Sequence, residues 1–203
     1  MPLIKKIING LLRMKITNNL FLFVLLVIPF FTNSKPVFIG DSLTHQLAVS
    51  YQKYAPVDAQ FLEGTGLQSK RLLDWQLHIK RINFDSYDAV YIVLGTNDLI
   101  SYSKIEEYQS KSRRFINEIK KGNKNIFWLL PPTLGNSKSN SLLNNTRIAI
   151  KHAAEKEGVT IIDMRLYLGD EYTDKNNGIN IRTHDGIHIT PAGADLIVKN
   201  LIK

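Results

Sequence analysis

The chain has 203 residues, which suits a single globular domain, and its 44% hydrophobic and 22% charged residues are typical of a protein with a buried core. It contains no cysteine, which excludes disulfides, cysteine nucleophiles, thiolate metal sites and a cysteine-linked lipid anchor. The net charge is +8, but residues 1–34 carry four basic and no acidic side chains, so the net charge of the remaining chain is +4. Residues 35–203 contain no basic cluster interleaved with aromatic residues. Both observations argue against nucleic-acid binding.

Residues 1–34 predict an export signal. Basic residues precede a 12-residue apolar run, Leu20 to Phe31, which is shorter than the roughly 20 residues of a membrane-spanning helix. Thr32 and Ser34 have the small-residue spacing that a signal peptidase prefers, so we expect cleavage after Ser34. An uncleaved membrane anchor or a buried helix is the alternative, and Met14 is an alternative start. Either way, we expect residues 35–203 to form one exported domain, periplasmic or extracellular.

Beyond the leader, short apolar runs alternate with longer amphipathic segments, the pattern of a parallel sheet covered by helices. The predicted strands are Val37–Ile39, Val57–Leu62, Ala89–Leu94, Ile126–Leu130 and Val159–Asp163. The predicted helices cover 43–54, 69–81, a segment from the capping box Ser103–Glu106 to about Gly122, 141–157, and a last helix opened by Thr190 and Pro191. Residues 165–184, with a turn at Asn176-Asn177-Gly178, predict a long loop. The fold class expected is a flavodoxin-like three-layer α/β/α sandwich with a five-stranded parallel sheet.

Four segments that contain candidate catalytic residues lie at the ends of these elements. Ser42 follows the first strand, Gly64–Gly66 follows the second, Gly95–Asp98 follows the third, and Asp185–His188 precedes the last helix. Since binding sites in open parallel sheets form at the carboxyl ends of the strands, we expect these segments to meet at one edge.

The four segments together resemble the blocks of the GDSL/SGNH hydrolase superfamily: "GDSL" at 40–43, a glycine of "GTG" at 64–66, "GTND" at 95–98 and "DGIH" at 185–188. The resemblance spans residues 37 to 203. Within the superfamily, "GTGLQSKRLLDW" and "RTHDGIHIT" are similar to a periplasmic subgroup associated with membrane-bound O-acyltransferases. The second block departs from its usual Asn/Ser-Gly context, so Gly64 and Gly66 compete for its role, and we favour Gly66. The G-x-S-x-G elbow of larger α/β-hydrolases is missing, so that fold is not assigned.

The chemistry of acyl transfer gives each residue a role. A serine hydroxyl is a weak nucleophile that needs a base, and His188 would supply one to Ser42. Asp185, three residues earlier, would bind the far imidazole nitrogen and complete a Ser-His-Asp triad. The oxyanion would be bound by the backbone N–H groups of Ser42 and Gly66 and by the side-chain amide of Asn97.

Each residue also has a structural interpretation. Ser42 can be only a helix cap, Asn97 can belong only to a turn, and His184 is a rival base. Arg182 would bind an anionic group of the substrate or lie on the surface, and Trp75 would pack against the sheet rather than stack on a sugar. The sequence shows no metal-ligand spacing and no phosphate-binding or dinucleotide loop, so we expect no metal and no cofactor.

The expected function is a serine esterase that forms an acyl-Ser42 intermediate, with O-acetyl esters of envelope glycans as the substrate that the resemblance implies. An O-acetyltransferase that uses the same residues and a glycan hydroxyl is the first alternative, and a non-catalytic glycan-binding relative is the second. The expected partners are a small-molecule or glycan ester, the membrane through the N-terminal segment, and a membrane-bound O-acyltransferase.

Overall fold

The computed structural model describes residues 35–202, so the predicted signal segment lies outside the described residues. The centre of the domain is a five-stranded sheet in the order β2-β1-β3-β4-β5 with every neighbouring pair parallel. Its strands are β1 (Lys35–Gly40), β2 (Asp58–Phe61), β3 (Tyr87–Val93), β4 (Ile126–Leu130) and β5 (Thr160–Asp163). This is the flavodoxin-like order, and the predicted fold class is confirmed.

Helices connect the strands and cover both faces of the sheet. They are α1 (Leu43–Tyr51), α2 (Trp75–His78), α3 (Ile105–Ile119), α4 (Ser137–Glu157), α5 (Arg165–Leu168) and α6 (Pro191–Leu201). Short 3₁₀ turns occupy Ile79–Arg81, Phe84–Ser86 and Tyr102–Lys104. The segment predicted as a long loop contains α5 and a small hairpin, β6 (Lys175–Asn176) and β7 (Ile179–Asn180), whose turn at Asn177 and Gly178 has φ of 49° and 79°.

Alternation along the central strands produces the three layers. Val37 and Ile39 of β1 join a core cluster that α3 and α4 cover, whereas Phe38, between them, joins a second cluster that α1 and α6 cover. All three side chains are fully buried. Because successive side chains of a strand point to opposite faces, a strand that is apolar throughout must be covered on both.

Three helix starts differ from the prediction, and one of them is that of α4, which begins at Ser137 instead of 141 because Asn136 caps it. The predicted helix 69–81 shrinks to α2 and the turn after it, because the Asp74 side chain caps α2 by accepting from the N–H groups of Gln76 and Leu77. The capping box at Ser103 is wrong. The 3₁₀ turn Tyr102–Lys104 precedes α3, and the Ser103 hydroxyl lies 3.1 Å from that of Ser101 instead.

Among residues 35–202, the helices are all too short or too polar to cross a membrane.

Candidate active site

The turn between β1 and α1 places Ser42 at the carboxyl edge of the sheet. Gly40 has a φ of 155°, and a Cβ there would lie 1.9 Å from the carbonyl oxygen of Val93, so only glycine fits against β3. The N–H of Asp41 donates to the same carbonyl at 2.9 Å and ties the turn to β3. The Ser42 hydroxyl makes no capping bond with α1, although Ser42 occupies the N-cap position. The hydroxyl is therefore available to another partner.

That partner is His188, which connects Ser42 to Asp185. The Nε2 atom of His188 lies 2.8 Å from the Ser42 Oγ, and its Nδ1 atom lies 2.6 Å from Asp185 Oδ2. The other Asp185 oxygen accepts from the Thr183 hydroxyl at 2.7 Å and from the N–H groups of Ile187 and His188 at 2.8 and 3.0 Å. The three predicted triad residues are thus in hydrogen-bonded sequence.

The electrostatics of Asp185 suit a carboxylate that stays charged. Partial burial works against the charged form, but hydrogen bonds from His188, Thr183 and two backbone N–H groups outweigh it and hold the pKa of Asp185 well below its usual range. An ionised Asp185 beside Nδ1 favours the tautomer that carries its proton on Nδ1 and leaves Nε2 as the acceptor for Ser42.

Asn97 and Gly66 lie close together in the loops that follow β3 and β2. The Asn97 Nδ2 atom donates to the carbonyl of Thr65 at 2.9 Å, which uses one of its two N–H groups and orients the amide. Asn97, Gly66 and Gly64 line one cavity of about 330 Å³, together with Gln68 and Ser69 from the segment after β2 and with residues that follow β3, among them Lys104.

Asp98 fixes the Gly66 loop, a role that the sequence did not suggest. Its carboxylate is buried and accepts from the N–H of Leu67 at 2.8 Å, the N–H of Gln68 at 2.7 Å and the hydroxyl of Tyr108 at 2.6 Å. These three donors do not fully offset burial, so the pKa of Asp98 is still raised. The residue after the predicted oxyanion donor Asn97 therefore shapes the loop that contains a second predicted donor, Gly66.

Asp41 is a second buried carboxyl in the site. It is 0% exposed; one oxygen accepts from the N–H of Leu43 at 3.0 Å, and the hydroxyl and N–H of Thr96 also favour its charged form without offsetting burial. Burial raises the pKa of Asp41 to about 7.

The structure resolves three of the alternatives raised by the sequence. Trp75 is buried and donates from its indole nitrogen to the Thr65 hydroxyl at 3.0 Å, so the packing interpretation is confirmed. His184 is exposed and lines a separate cavity with Tyr172 and Arg182. The expectation for Arg182 was wrong, because Arg182 is only 4% exposed and its guanidinium binds backbone carbonyls.

Within residues 35–202, no three His, Asp or Glu side chains are grouped closely enough to hold a metal ion.

Known structures share this fold at low sequence identity. A lipase/acylhydrolase from Enterococcus faecalis matches with a TM-score of 0.60 and 15% identity over 83% of this chain and 95% of its own. An acetyl xylan esterase, AlAXEase, matches with a TM-score of 0.63 and 16% identity over 83% and 98% of the two chains. Axe2, an acetylxylan esterase from Geobacillus stearothermophilus, matches with a TM-score of 0.60 and 16% identity over 83% and 92%.

A search of curated proteins found no match. The family model that matches is described as "Protein of unknown function (DUF459)", and it covers residues 35–203. The chain belongs to DUF459, and its fold and sequence blocks make it a member of the SGNH/GDSL superfamily.

Proposed function

We propose that this domain is a serine ester hydrolase that acts through an acyl-Ser42 intermediate. The observation that carries the proposal is the hydrogen-bonded sequence from Ser42 Oγ to His188 Nε2 at 2.8 Å and from His188 Nδ1 to Asp185 Oδ2 at 2.6 Å. A nucleophile, a base and a group that orients the base, each within hydrogen-bond reach of the next, form the geometry of covalent acyl transfer.

In the first half-reaction, Ser42 Oγ attacks the carbonyl carbon of the ester while His188 Nε2 accepts the hydroxyl proton. The carbonyl oxygen becomes an oxyanion, which accepts hydrogen bonds from the N–H groups of Ser42 and Gly66 and from the free N–H of Asn97. The tetrahedral intermediate collapses, the bond to the alcohol oxygen breaks, and His188 gives its proton to that oxygen. The alcohol leaves and the acyl group stays on Ser42.

In the second half-reaction, water attacks the acyl-enzyme. His188 accepts a proton from the water, the same donors bind the second oxyanion, and collapse returns the proton to Ser42 Oγ. The products are a carboxylic acid and the free enzyme, so each turnover consumes one ester and one water.

As the substrate we propose an O-acetyl ester of an envelope glycan. Three features support this choice. The cavity beside Gly66 and Asn97 is lined by amide and hydroxyl side chains as well as apolar ones. Two of the structures that share the fold are named as esterases of acetylated xylan. The leader predicts export to the compartment where such glycans occur, in which a membrane-bound O-acyltransferase would be a partner.

The experiment that tests the function is hydrolysis of 4-nitrophenyl acetate by the purified protein and by its Ser42→Ala variant. We expect turnover by the wild type, covalent labelling of Ser42 by a fluorophosphonate, and neither in the variant. Equal activity in both proteins would overturn the serine mechanism.

An acetylated oligosaccharide and a glycan acceptor extend this assay. Turnover that requires the acceptor would identify a transferase in place of a hydrolase, because the two differ only in the nucleophile that reaches the acyl-enzyme. Binding of the oligosaccharide without turnover of either ester would identify a non-catalytic binding protein.

A further inference from the structure

The Arg182 side chain is buried beneath the loop that carries Asp185 and His188. Its Nη1 donates to the carbonyl of Thr133 at 2.8 Å, its Nη2 to that of Ile187 at 2.9 Å, and its Nε to that of His188 at 3.3 Å. A guanidinium stays protonated in proteins, and a buried charge is tolerated only where hydrogen bonds replace water. In the described part of the chain no salt bridge involves Arg182, so backbone carbonyls supply that replacement.

The groups around this guanidinium do not compete for its donors. The Arg182 Cζ lies 5.1 Å from the centre of the Tyr172 ring, which covers one face of the cation. The charge of Asp185 also stabilises the cation, although both Asp185 oxygens are bound by other donors. The planar fork is therefore directed at the backbone, where it joins two segments of the chain.

The first segment is the loop that bears the catalytic pair. Arg182 and Ile189 form an isolated antiparallel bridge at its base, and the N–H of Thr183 donates to the carbonyl of His188 at 3.0 Å. Arg182 binds the carbonyls of Ile187 and His188 from inside this loop. It thereby fixes the two peptide groups that set the direction of the His188 side chain.

The second segment follows β4. Besides the bond from Arg182 to Thr133, the N–H of Gly135 donates to the carbonyl of Gly186 at 2.8 Å. A Cβ at Gly135 would lie 3.1 Å from the Gly186 Cα, so the two backbones touch. The loop of His188 is thus held against a segment that continues directly from the central sheet.

We propose that Arg182 is a positioning residue that holds His188 in line with Ser42 by joining the 182–189 loop to the segment after β4. The proposal rests on the proposed function for its catalytic consequence. Loss of the guanidinium leaves the carbonyls of Thr133 and Ile187 without these donors, and we expect the loop to shift as water replaces them. A displacement of about 1 Å at a reacting group typically costs about 10²-fold in rate.

Arg147 provides a matched control. It is also buried, at 3% exposed, and it also binds the segment after β4, through Nε to the carbonyl of Pro131 and Nη2 to that of Pro132, both at 2.8 Å. It makes none of the contacts with the 182–189 loop. Arg147 therefore resembles Arg182 in its burial, its charge and its use of backbone carbonyls as partners, but it donates to neither carbonyl of the catalytic loop.

The test compares Arg182→Met, Arg182→Lys and Arg147→Met in the full chain, with 4-nitrophenyl acetate as the probe. We expect Arg182→Met to lower kcat about 10²-fold with little change in KM, and Arg182→Lys to recover part of the loss because an ammonium still donates to some of the carbonyls. Arg147→Met should lower the melting temperature but keep kcat within about threefold.

A second readout does not need turnover. In wild type the proton between His188 Nδ1 and Asp185 should give a far-downfield ¹H NMR signal, because the bond is only 2.6 Å long. The signal should move or broaden in both Arg182 variants and stay in Arg147→Met. If wild type showed no ester turnover, the proposed function would fail while this spectrum still tested the positioning.

Two results would overturn the proposal. One is an Arg182 variant, Met or Lys, with the wild-type kcat and the wild-type proton signal. The other is an equal loss of kcat in Arg147→Met and Arg182→Met, which would reduce Arg182 to a general stabiliser. If Arg182→Met does not fold, the Arg182→Lys kinetics and spectrum decide.

Discussion

Gly66 and Asp98 are in such close contact that a Cβ on residue 66 would lie 2.2 Å from a carboxylate oxygen of Asp98. That carboxylate cannot easily swing away, because it accepts from Leu67, Gln68 and Tyr108. The absence of a side chain at residue 66 thus lets the Asp98 carboxylate bind the loop closely, and the Gly66 N–H is proposed to face the oxyanion.

The first prediction is that Gly66→Ala lowers kcat by about 10²-fold, since the loop must move away from Asp98 and take one oxyanion donor with it. Gly64→Ala is the control. Gly64 has a φ of 67°, and its Cβ would meet only Leu72, at 3.6 Å, so that variant should lose about 1 kcal/mol of stability and keep its kcat. Steady-state kinetics and thermal melts of the two variants check this. The reverse pattern would give the oxyanion role to Gly64.

Asn97 is the second target. Asn97→Ala removes a donor directed at charge that develops in the transition state, so we expect kcat to fall by about 10²–10³ with KM little changed. Asn145→Ala is matched, because the Asn145 amide also donates to a carbonyl, that of Ile100, at 3.1 Å. It should affect only the melting temperature. A normal kcat with a lowered melting temperature in Asn97→Ala would make Asn97 a turn residue.

The third prediction separates the two histidines. His188→Ala should remove nearly all esterase activity, because it deletes the group that lies 2.8 Å from the Ser42 Oγ. His184→Ala should reduce activity modestly, since His184 is exposed beside a different cavity. Rates with 4-nitrophenyl acetate decide between them, and an active His188→Ala beside an inactive His184→Ala would reverse the assignment.

The fourth prediction concerns pH and Asp41. In the folded protein Asp41 keeps its proton up to a pH of about 7, whereas an unfolded aspartate releases it near about 3.9. The folded state therefore binds more protons between these values, and the free energy of unfolding falls as the pH rises through about 4 to 7. Asp41→Asn lacks this titration, so its melting temperature should rise relative to that of the wild type as the pH increases from about 4 to about 7.

Asp74→Asn is a control of opposite sign. Partial burial raises the pKa of Asp74, but Lys70 and the N–H groups that the Asp74 side chain caps lower it by more. The ionised Asp74 therefore stabilises the fold above the pKa of the unfolded state, and this stabilisation is lost as the pH falls through the pKa of the folded state. Asp74→Asn should therefore melt at a lower temperature than the wild type at neutral pH, and this difference should shrink only in acid. A constant difference between Asp41→Asn and wild type from pH 4 to 7 would contradict the raised pKa of Asp41.

The fifth prediction concerns export. A periplasmic or secreted fraction should contain a species that begins at Lys35, as N-terminal sequencing would show. Leu25→Arg, which interrupts the apolar run, should leave the precursor uncleaved in the cell. Only full-length protein in the wild type, resistant to carbonate extraction from membranes, would identify an anchor.

The sheet could be predicted because its central strands are apolar along their whole length and buried on both faces. Val90 to Val93 of β3 are all buried, so the apolar run itself marks the strand. The helix at 69–81 could not be predicted in the same way. Leu72 and Leu77 are each 57% exposed, so the buried positions begin only at Trp75 and Ile79, and the cap at Asp74 decides where α2 begins.

The residues of the site were predictable where a motif names them, and the residues that support them were not. Ser42, Asp185 and His188 follow from the four blocks together. The role of Arg182 was predicted wrongly because arginine is usually exposed, and because its partners are backbone carbonyls, which leave no pattern in a sequence. Asp98 was missed because its partners, Leu67 and Gln68, lie 31 and 30 residues away and become neighbours only in the fold.

Ser42 and His188 are 146 positions apart in the chain, and this distance has a consequence for folding. His188 lies just before the last helix, which docks on α1 through Asp195; this carboxylate binds both the Ser50 hydroxyl and Lys53. Contacts so distant in sequence close late, because the entropy of ordering the intervening chain must be overcome first. We therefore expect a chain that ends before His188 to keep an inactive Ser42, so that ester turnover reports that these two distant segments have come together.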